Sequence, residues 1–204
     1  MFNRPCNIFK IATYNVRSLN EDWKKCELVS KAMQYNLFVV AIQEHRILKK
    51  NEINMYGYKF CLAPPLKNSR NTTIGGLGFL LSPTAQKCYI DHQSISPNIM
   101  CVSFTGNPKT HIITCHSPTN VSTDDEINQF YNTLSDFINT IPTHDLIVIA
   151  GDLNAHLRKD LCGGNAYYGV TNRNGKLLKE FSSEHSLTIG FPKFEKRKTK
   201  KSHG

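Results

Sequence analysis

Four apolar runs in this chain end in side chains that can handle a phosphate ester. The run from Ile8 to Val16 carries Thr13-Tyr14-Asn15 at its end, and Leu37-Phe-Val-Val-Ala-Ile42 leads into Gln43-Glu44-His45. His111 to Cys115 runs into His116-Ser117-Pro118-Thr119, and Leu146-Ile-Val-Ile-Ala150 into Gly151-Asp152-Leu153-Asn154. Hard divalent cations take oxygen ligands, and Mg²⁺ typically uses one or two carboxylates with waters and substrate phosphate oxygens. Glu44 is the candidate ligand, and Asn15 offers an amide oxygen beside it. Asp152 can polarise an attacking water, and Asn154, two residues on, points the same way along an extended chain. Phosphodiester cleavage needs that set: a metal on the phosphate oxygens, an activated water, and donors for the developing charge.

Each residue also has a plainer reading. Asn15 caps a turn before Asn20-Glu21-Asp22, Glu44 pairs at the surface with His45-Arg46, and His116 is a satisfied structural histidine. Gly151 to Asn154 reads equally as a Gly/Asx turn, although a turn does not account for the apolar run feeding it. The Gly75-Gly76-x-Gly78 stretch lacks the Gly-Lys-Ser/Thr ending of a phosphate-binding loop, so close strand packing is its default.

The elements that must position these groups follow from hydrophobic period. Strands are expected at Ile8–Val16, Leu37–Gln43, Ile74–Leu81, Lys87–Ile90, Ile99–Phe104, His111–Cys115 and Asp145–Ala150. The second and last are continuous apolar runs, the pattern of strands buried on both faces. Helices are expected around Asp22–Tyr35, with Trp23, Cys26, Val29 and Met33 as its apolar stripe, and over 124–141 and Gly175–His185. Thr123 and Glu126 form a capping box for the middle one, and Pro142 stops it. Strands and helices in this alternation predict a mixed-sheet α/β fold. In such folds ligands gather at the carboxyl ends of strands, where the four polar tips lie.

Composition sets the outer bounds. A chain of 204 residues fits one domain, 1–204, with no internal repeat or linker. No apolar run approaches a membrane span, and Met1-Phe-Asn-Arg-Pro-Cys6 has no signal-peptide core. Seven cysteines, an odd number without a C-x-x-C pair, argue for reduced thiols in the nucleus or cytoplasm and against a secreted disulfide framework or a zinc site. The net charge is +9, of which residues 193–204 carry +5: six Lys or Arg against Glu195. That basic tail suits a polyanion such as DNA, with a solvated basic hairpin as the alternative.

In order and spacing, Thr13-Tyr-Asn15-Val-Arg, Ile42-Gln-Glu44-His-Arg, Gly75-Gly-x-Gly-Phe79, Ser117-Pro-Thr-Asn120 and Gly151-Asp152-Leu-Asn154-Ala resemble the endonuclease/exonuclease/phosphatase superfamily. Deoxyribonuclease I and the apurinic/apyrimidinic endonucleases belong to it. The likeness leans towards the endonuclease domains of LINE-type (non-LTR) retrotransposons, through Arg17 and the segment Thr171-Asn-Arg-Asn-Gly175-Lys-Leu-Leu. The resemblance implies a DNase I-like four-layer α/β/β/α sandwich. It implies that Glu44 binds Mg²⁺ (or Mn²⁺ in its place), that Asn15 supports metal and phosphate, and that Asp152 orients or deprotonates the water. Asn154 would hold the phosphate, and His116 would donate to it from a position usually occupied by Tyr. Lys196, Arg197 and Lys198 are the candidate DNA contacts of the tail.

Superfamily domains continue through two further strands bearing an Asp and then an Asp-His pair, which lie beyond Gly204, so the expectation is a domain lacking its last strands. Losing such a charge-stabilising group costs about 10²–10³ in rate, which predicts weak turnover or none. The leading expectation is a DNA-nicking endonuclease, with a reverse transcriptase domain downstream in a full-length element. No membrane and no obligate protein partner are expected. Two other readings stay open: a phosphatase acting on small phosphate esters or phosphoinositides, and a catalytically dead fragment that binds nucleic acid through charge.

Overall fold

The computed structural model describes residues 9–48, 51–67, 72–157 and 170–190. The basic tail, with Lys196, Arg197 and Lys198, lies outside the described residues, as do Cys6 and Cys162. In chain order the elements are β1 (Ile11–Asn15), α1 (Asp22–Gln34), β2 (Val39–Gln43), β3 (Glu52–Met55), β4 (Tyr58–Leu62), β5 (Leu66–Lys67), β6 (Thr73–Ile74) and β7 (Leu77–Leu81). There follow α2 (Pro83–Gln86), β8 (Tyr89–Ser96), β9 (Ile99–Phe104), β10 (Thr110–Cys115), α3 (Asp124–Asn139), β11 (Leu146–Ile149) and α4 (Arg173–Glu184). The chain divides into two compact units, Met1–Ser117 with Asp136–Asp152, and Pro118–Ser135 with Leu153–Gly204.

The first unit holds two facing sheets. One has the order β1-β2-β7-β4-β3 and the other β11-β10-β9-β8. The β1–β2 and β10–β11 pairs are parallel and the rest antiparallel. Val39, Ala41, Cys61, Leu77, Phe79 and Leu81 of the first sheet meet Met100, Val102, Phe104 and Ile112 of the second. Each large apolar side chain buried this way contributes about 1.5–3 kcal/mol. The other face of the first sheet, through Val40, Ile42, Phe60 and Leu80, packs on Leu28, Val29 and Ala32 of α1. On the second sheet, His111 joins three strands. Its Nδ1 lies 3.1 Å from Ser103 Oγ across the β9–β10 ladder, and its Nε2 lies 3.1 Å from Asp145 Oδ2 at the start of β11.

Helix α1 corrects one expected feature. Its buried face is Lys25, Leu28, Val29 and Ala32, while Trp23 and Met33 are exposed. Both stripes have helical spacing, and the narrower Leu/Val/Ala face lets the helix approach the sheet. Lys25 fits there because its ammonium reaches the Asp22 carboxylate at 2.7 Å and the Asn20 carbonyl at 3.3 Å, leaving the stem to pack. The helix ends where Asn36 takes a left-handed conformation (φ 55) and Leu37 N–H bonds back to Ala32 O.

Other boundaries also moved. The expected strand 74–81 is two strands, broken where Gly75 and Gly76 turn at φ 70 and 88. Strands β3 and β4, four and five residues long, were not among the expected strands. They pair through the turn Tyr56-Gly57, where both residues have positive φ (49 and 78) as tight hairpins require. β11 is not buried on both faces: Leu146 is exposed and Ile147 to Ile149 are half-buried. Among the described residues it pairs only with β10.

Helix α3 begins with the expected reciprocal cap. Thr123 N–H donates to Glu126 Oε2 (2.9 Å), and Glu126 N–H to Thr123 Oγ1 (3.3 Å). Within the second unit, Tyr131 of α3 packs against Phe181 of α4, and Ser135 Oγ meets His185 Nε2 at 2.8 Å. No helix among the described residues is long and apolar enough to cross a membrane.

Candidate active site

In the first unit the ends of β1, β2, β10 and β11 bring Asn15, Glu44, His116 and Asp152 together. Asn15 Nδ2 donates to Glu44 Oε1 (2.7 Å) and to Asp152 Oδ2 (3.3 Å), so one amide group serves two carboxylates from two different sheets. Its oxygen is engaged elsewhere, accepting from Arg17 N–H at 3.2 Å. Asn15 therefore presents donors, not its oxygen, to the acids. Arg46 Nη2 lies 2.9 Å from Glu44 Oε2, and His116 Nε2 lies 3.9 Å from Glu44 Oε1. Burial pushes the Glu44 carboxyl up, but hydrogen bonds from Asn15 and Arg46 and the charges of His116 and Arg46 outweigh it, leaving it below its ordinary value.

The backbone here is held under strain. Arg17, Ser18, Glu44 and Arg46 have φ of 49, 108, 60 and 58. Left-handed geometry costs a side-chain-bearing residue about 1–2 kcal/mol. A ladder that outlasts the strands stabilises it: Val16 N–H to Gln43 O (3.0 Å), Ser18 N–H to Glu44 O (2.8 Å) and Leu19 N–H to His45 O (2.9 Å). Opposite, Asp152 N–H donates to Cys115 O and Ser117 N–H to Asp152 O, both at 2.9 Å. His116 and Asp152 thus form a parallel bridge just beyond β10 and β11. Gly151 allows that approach, because a Cβ on it would stand 2.3 Å from Cys115 O and 2.7 Å from Cys115 N.

Three supporting residues escaped the sequence reading. Gln43 Nε2 donates to Thr114 Oγ1 at 2.9 Å, a buried bond joining the two sheets directly beneath the site. Thr114 sits inside an apolar run and carries no signal of its own. His45, read as half of a surface pair, is fully buried, and Arg46 alone makes the pair with Glu44. His45 Nε2 faces the carbonyls of Ala63 (2.8 Å) and Leu77 (3.1 Å), while Nδ1 accepts from Ile47 N–H (2.9 Å). That fixes the tautomer with hydrogen on Nε2. A Cβ on Gly76 would stand 2.8 Å from the imidazole, and one on Gly78 would stand 2.9 Å from Cys61 O, so these two glycines serve close packing, the default reading of the stretch.

His45 predicts an acid sensitivity. Burial lowers its pKa from 6.5, against the opposing pull of its two carbonyl partners. The unfolded chain therefore takes up a proton at a pH where the folded one does not. Stability is fully present above about pH 6.5 and falls as the pH drops below it, by up to about 1.4 kcal/mol per pH unit. Urea unfolding midpoints should decline between about pH 7 and pH 5. His45→Gln should flatten that decline, and an unchanged pH slope in the variant would refute the assignment.

Asn154 belongs to the second unit. It has φ 48, and its carbonyl accepts from Asn172 Nδ2 at 2.8 Å. Asn172 also caps α4, its Oδ1 accepting from Gly175 N–H (2.8 Å) and His156 N–H (2.9 Å). Arg173 reaches the carbonyls of Asn120 and Ser122, and buried Asn174 donates to Pro118 O at 2.8 Å. The Asn172-Arg-Asn174 segment thus clamps the loops at 118–124 and 153–156.

No family model matches the chain. Craniofacial development protein 2 of Bos taurus is 26% identical over 184 residues, 88% of this chain and 30% of that protein. The Tragulus javanicus protein of the same name is 25% identical over 190 residues, 91% of this chain and 32% of its own length. The chain therefore spans about a third of the length of these curated relatives. Among solved structures, a point variant of the 3′ phosphatase NExo from Neisseria, bound to product DNA hairpin, superimposes with a TM-score of 0.62 at 14% identity. The match covers 86% of this chain and 71% of that one. At that identity the likeness speaks for the fold, and the fold is the mixed α/β architecture of the DNase I-like proteins.

Proposed function

We propose that this chain is a phosphodiester hydrolase of the endonuclease/exonuclease/phosphatase type, nicking DNA with the help of a divalent metal. The observation that carries the reading is the Asn15 amide held between Glu44 and Asp152. Two half-buried carboxylates converging on one small donor group make a hard-oxygen donor set, which fits Mg²⁺ or Mn²⁺. Glu44 and Asp152 would hold or face the ion, which when bound supplies charge to the phosphate oxygens. Asp152 takes the proton from the attacking water. His116 donates to a phosphate oxygen, and Asn15 keeps the two acids at their spacing. For Asn154 the proposed role is the one the resemblance implies, a donor to the phosphate. The LINE-type assignment, with a reverse transcriptase domain downstream and tail contacts from Lys196, Arg197 and Lys198, belongs to the same proposal. So does its action as one domain. The fold neighbour NExo is a 3′ phosphatase seen with a DNA product, which supports phosphate esters of DNA as the substrate class.

The test is cleavage of supercoiled plasmid in Mg²⁺, with and without chelator, beside an oligonucleotide bearing a 3′-phosphate. Chelator-sensitive nicking that falls about 10²-fold or more in Asp152→Asn supports the endonuclease. Release of inorganic phosphate without nicking supports a phosphatase. Neither activity, with DNA binding retained, leaves the binding fragment.

A further inference from the structure

A cluster of metal-ligating side chains lies away from the strand tips. Glu52 on β3, Cys61 on β4 and His92 on β8 place one ligand atom each within 4.8 Å of one another, the one such group among the described residues. Glu52 and Cys61 are direct cross-strand partners, so their side chains share a face. β3 and β8 are the outer strands of the two sheets, so the cluster spans from one sheet to the other. The β8 ladder slips between Tyr89 and Asp91. Residues three apart on a regular strand point to opposite faces, and this bulge turns Tyr89 and His92 towards each other, with Tyr89 Oη 2.6 Å from His92 Nδ1. Tyr89 also hydrogen-bonds the Cys61 side chain.

We infer that Glu52, Cys61 and His92 form a zinc-binding site that clips the outer strands of the two sheets together. The donors decide the ion. A thiolate and an imidazole with one carboxylate suit borderline-soft Zn²⁺, whereas Mg²⁺ demands oxygen. Three protein ligands leave a fourth tetrahedral position for water or the Tyr89 phenol. Ligand atoms in a tetrahedral zinc site lie about 3.3–3.8 Å apart, given bonds of about 2.0–2.3 Å, so a small inward movement closes the cluster. Lys59 holds Glu52 Oε1 at 2.8 Å and can stay there while the other carboxylate oxygen binds the ion. Without metal, burial pushes the Cys61 thiol up to about 11, so it carries its proton. Zinc binding releases that proton to solvent as the sulfur–metal bond forms.

The probe is Zn²⁺ titrated against a chromophoric chelator, with Co²⁺ as spectroscopic stand-in. The wild-type chain should bind one zinc here, gain thermal stability, and give with Co²⁺ a thiolate charge-transfer band. Cys61→Ser and His92→Gln should each weaken zinc by about 100-fold or more, since even outer-shell changes cost about 10–100-fold. His92 is only half-buried, so its variant keeps the test valid if Cys61→Ser fails to fold. Glu44→Gln should bind zinc like wild type, which separates this site from the proposed nuclease. Zinc affinity unchanged in both cluster variants, or a Co²⁺ complex without the thiolate band, overturns the site.

Discussion

Glu44→Gln is expected to cut Mg²⁺-dependent cleavage steeply while leaving the fold in place. The amide is the same size, keeps an oxygen for the Asn15 donor, and removes the charge that attracts the ion. The loss should be about 10²–10³ in rate at fixed metal, the scale for removing one charge-stabilising group. Raising the Mg²⁺ concentration should recover only part of it. The ion pair with Arg46 disappears too, but that pair is partly exposed (38% and 20%) and such pairs contribute about 0–1 kcal/mol. Thermal unfolding should barely move. A metal titration matching wild type in this variant would remove Glu44 from the mechanism, and with it the proposed use of the Asn15–Asp152 cluster.

Gly151→Ala should damage stability and activity at once. The new methyl meets backbone atoms of β10 at 2.3 and 2.7 Å, and backbone cannot rotate aside as a side chain can. β11 must draw back, lengthening Ala150 N–H to Ile113 O, Asp152 N–H to Cys115 O and Ser117 N–H to Asp152 O. Overpacking of this kind costs about 1–3 kcal/mol, and each ladder bond lost adds about 1 kcal/mol. Asp152 moves with the strand, and about 1 Å of misplacement can cost 10²-fold in rate. Gly75→Ala is the control, since its Cβ meets nothing within 4 Å and only the φ of 70 opposes it. Equal chemical-denaturation midpoints for the two variants would show that the β10–β11 approach is not tight.

The strand tips were readable because a buried strand announces itself as an apolar run and must end in something polar. Four such ends drew attention to Asn15, Glu44, His116 and Asp152, which the structure gathers in one unit. The capping box at Thr123 and Glu126 was equally legible, being a local motif whose partners lie three residues apart. What stayed hidden depends on distant partners. Thr114 became visible only once Gln43 faced it across 71 positions of chain, and His45 only once Gly76 and two carbonyls surrounded it. The stripe of α1 was misread because two helical faces compete in that segment, and contact with the sheet selects the smaller side chains. β3 and β4 escaped because they are only four and five residues long, too short for a period to stand out from the surrounding chain.

The bond between Gln43 and Thr114 has a mechanical meaning. Asn15 and Glu44 ride on one sheet, His116 and Asp152 on the other, and the core packed between the sheets is mostly apolar and without direction. Greasy layers resist separation far better than they resist sliding. A buried, directional bond immediately below the acids sets the zero of that sliding motion, so the gap between the two carboxylates reads out the shear between layers. Mild denaturant or heat should therefore blunt the site through slippage while every strand and helix is still formed.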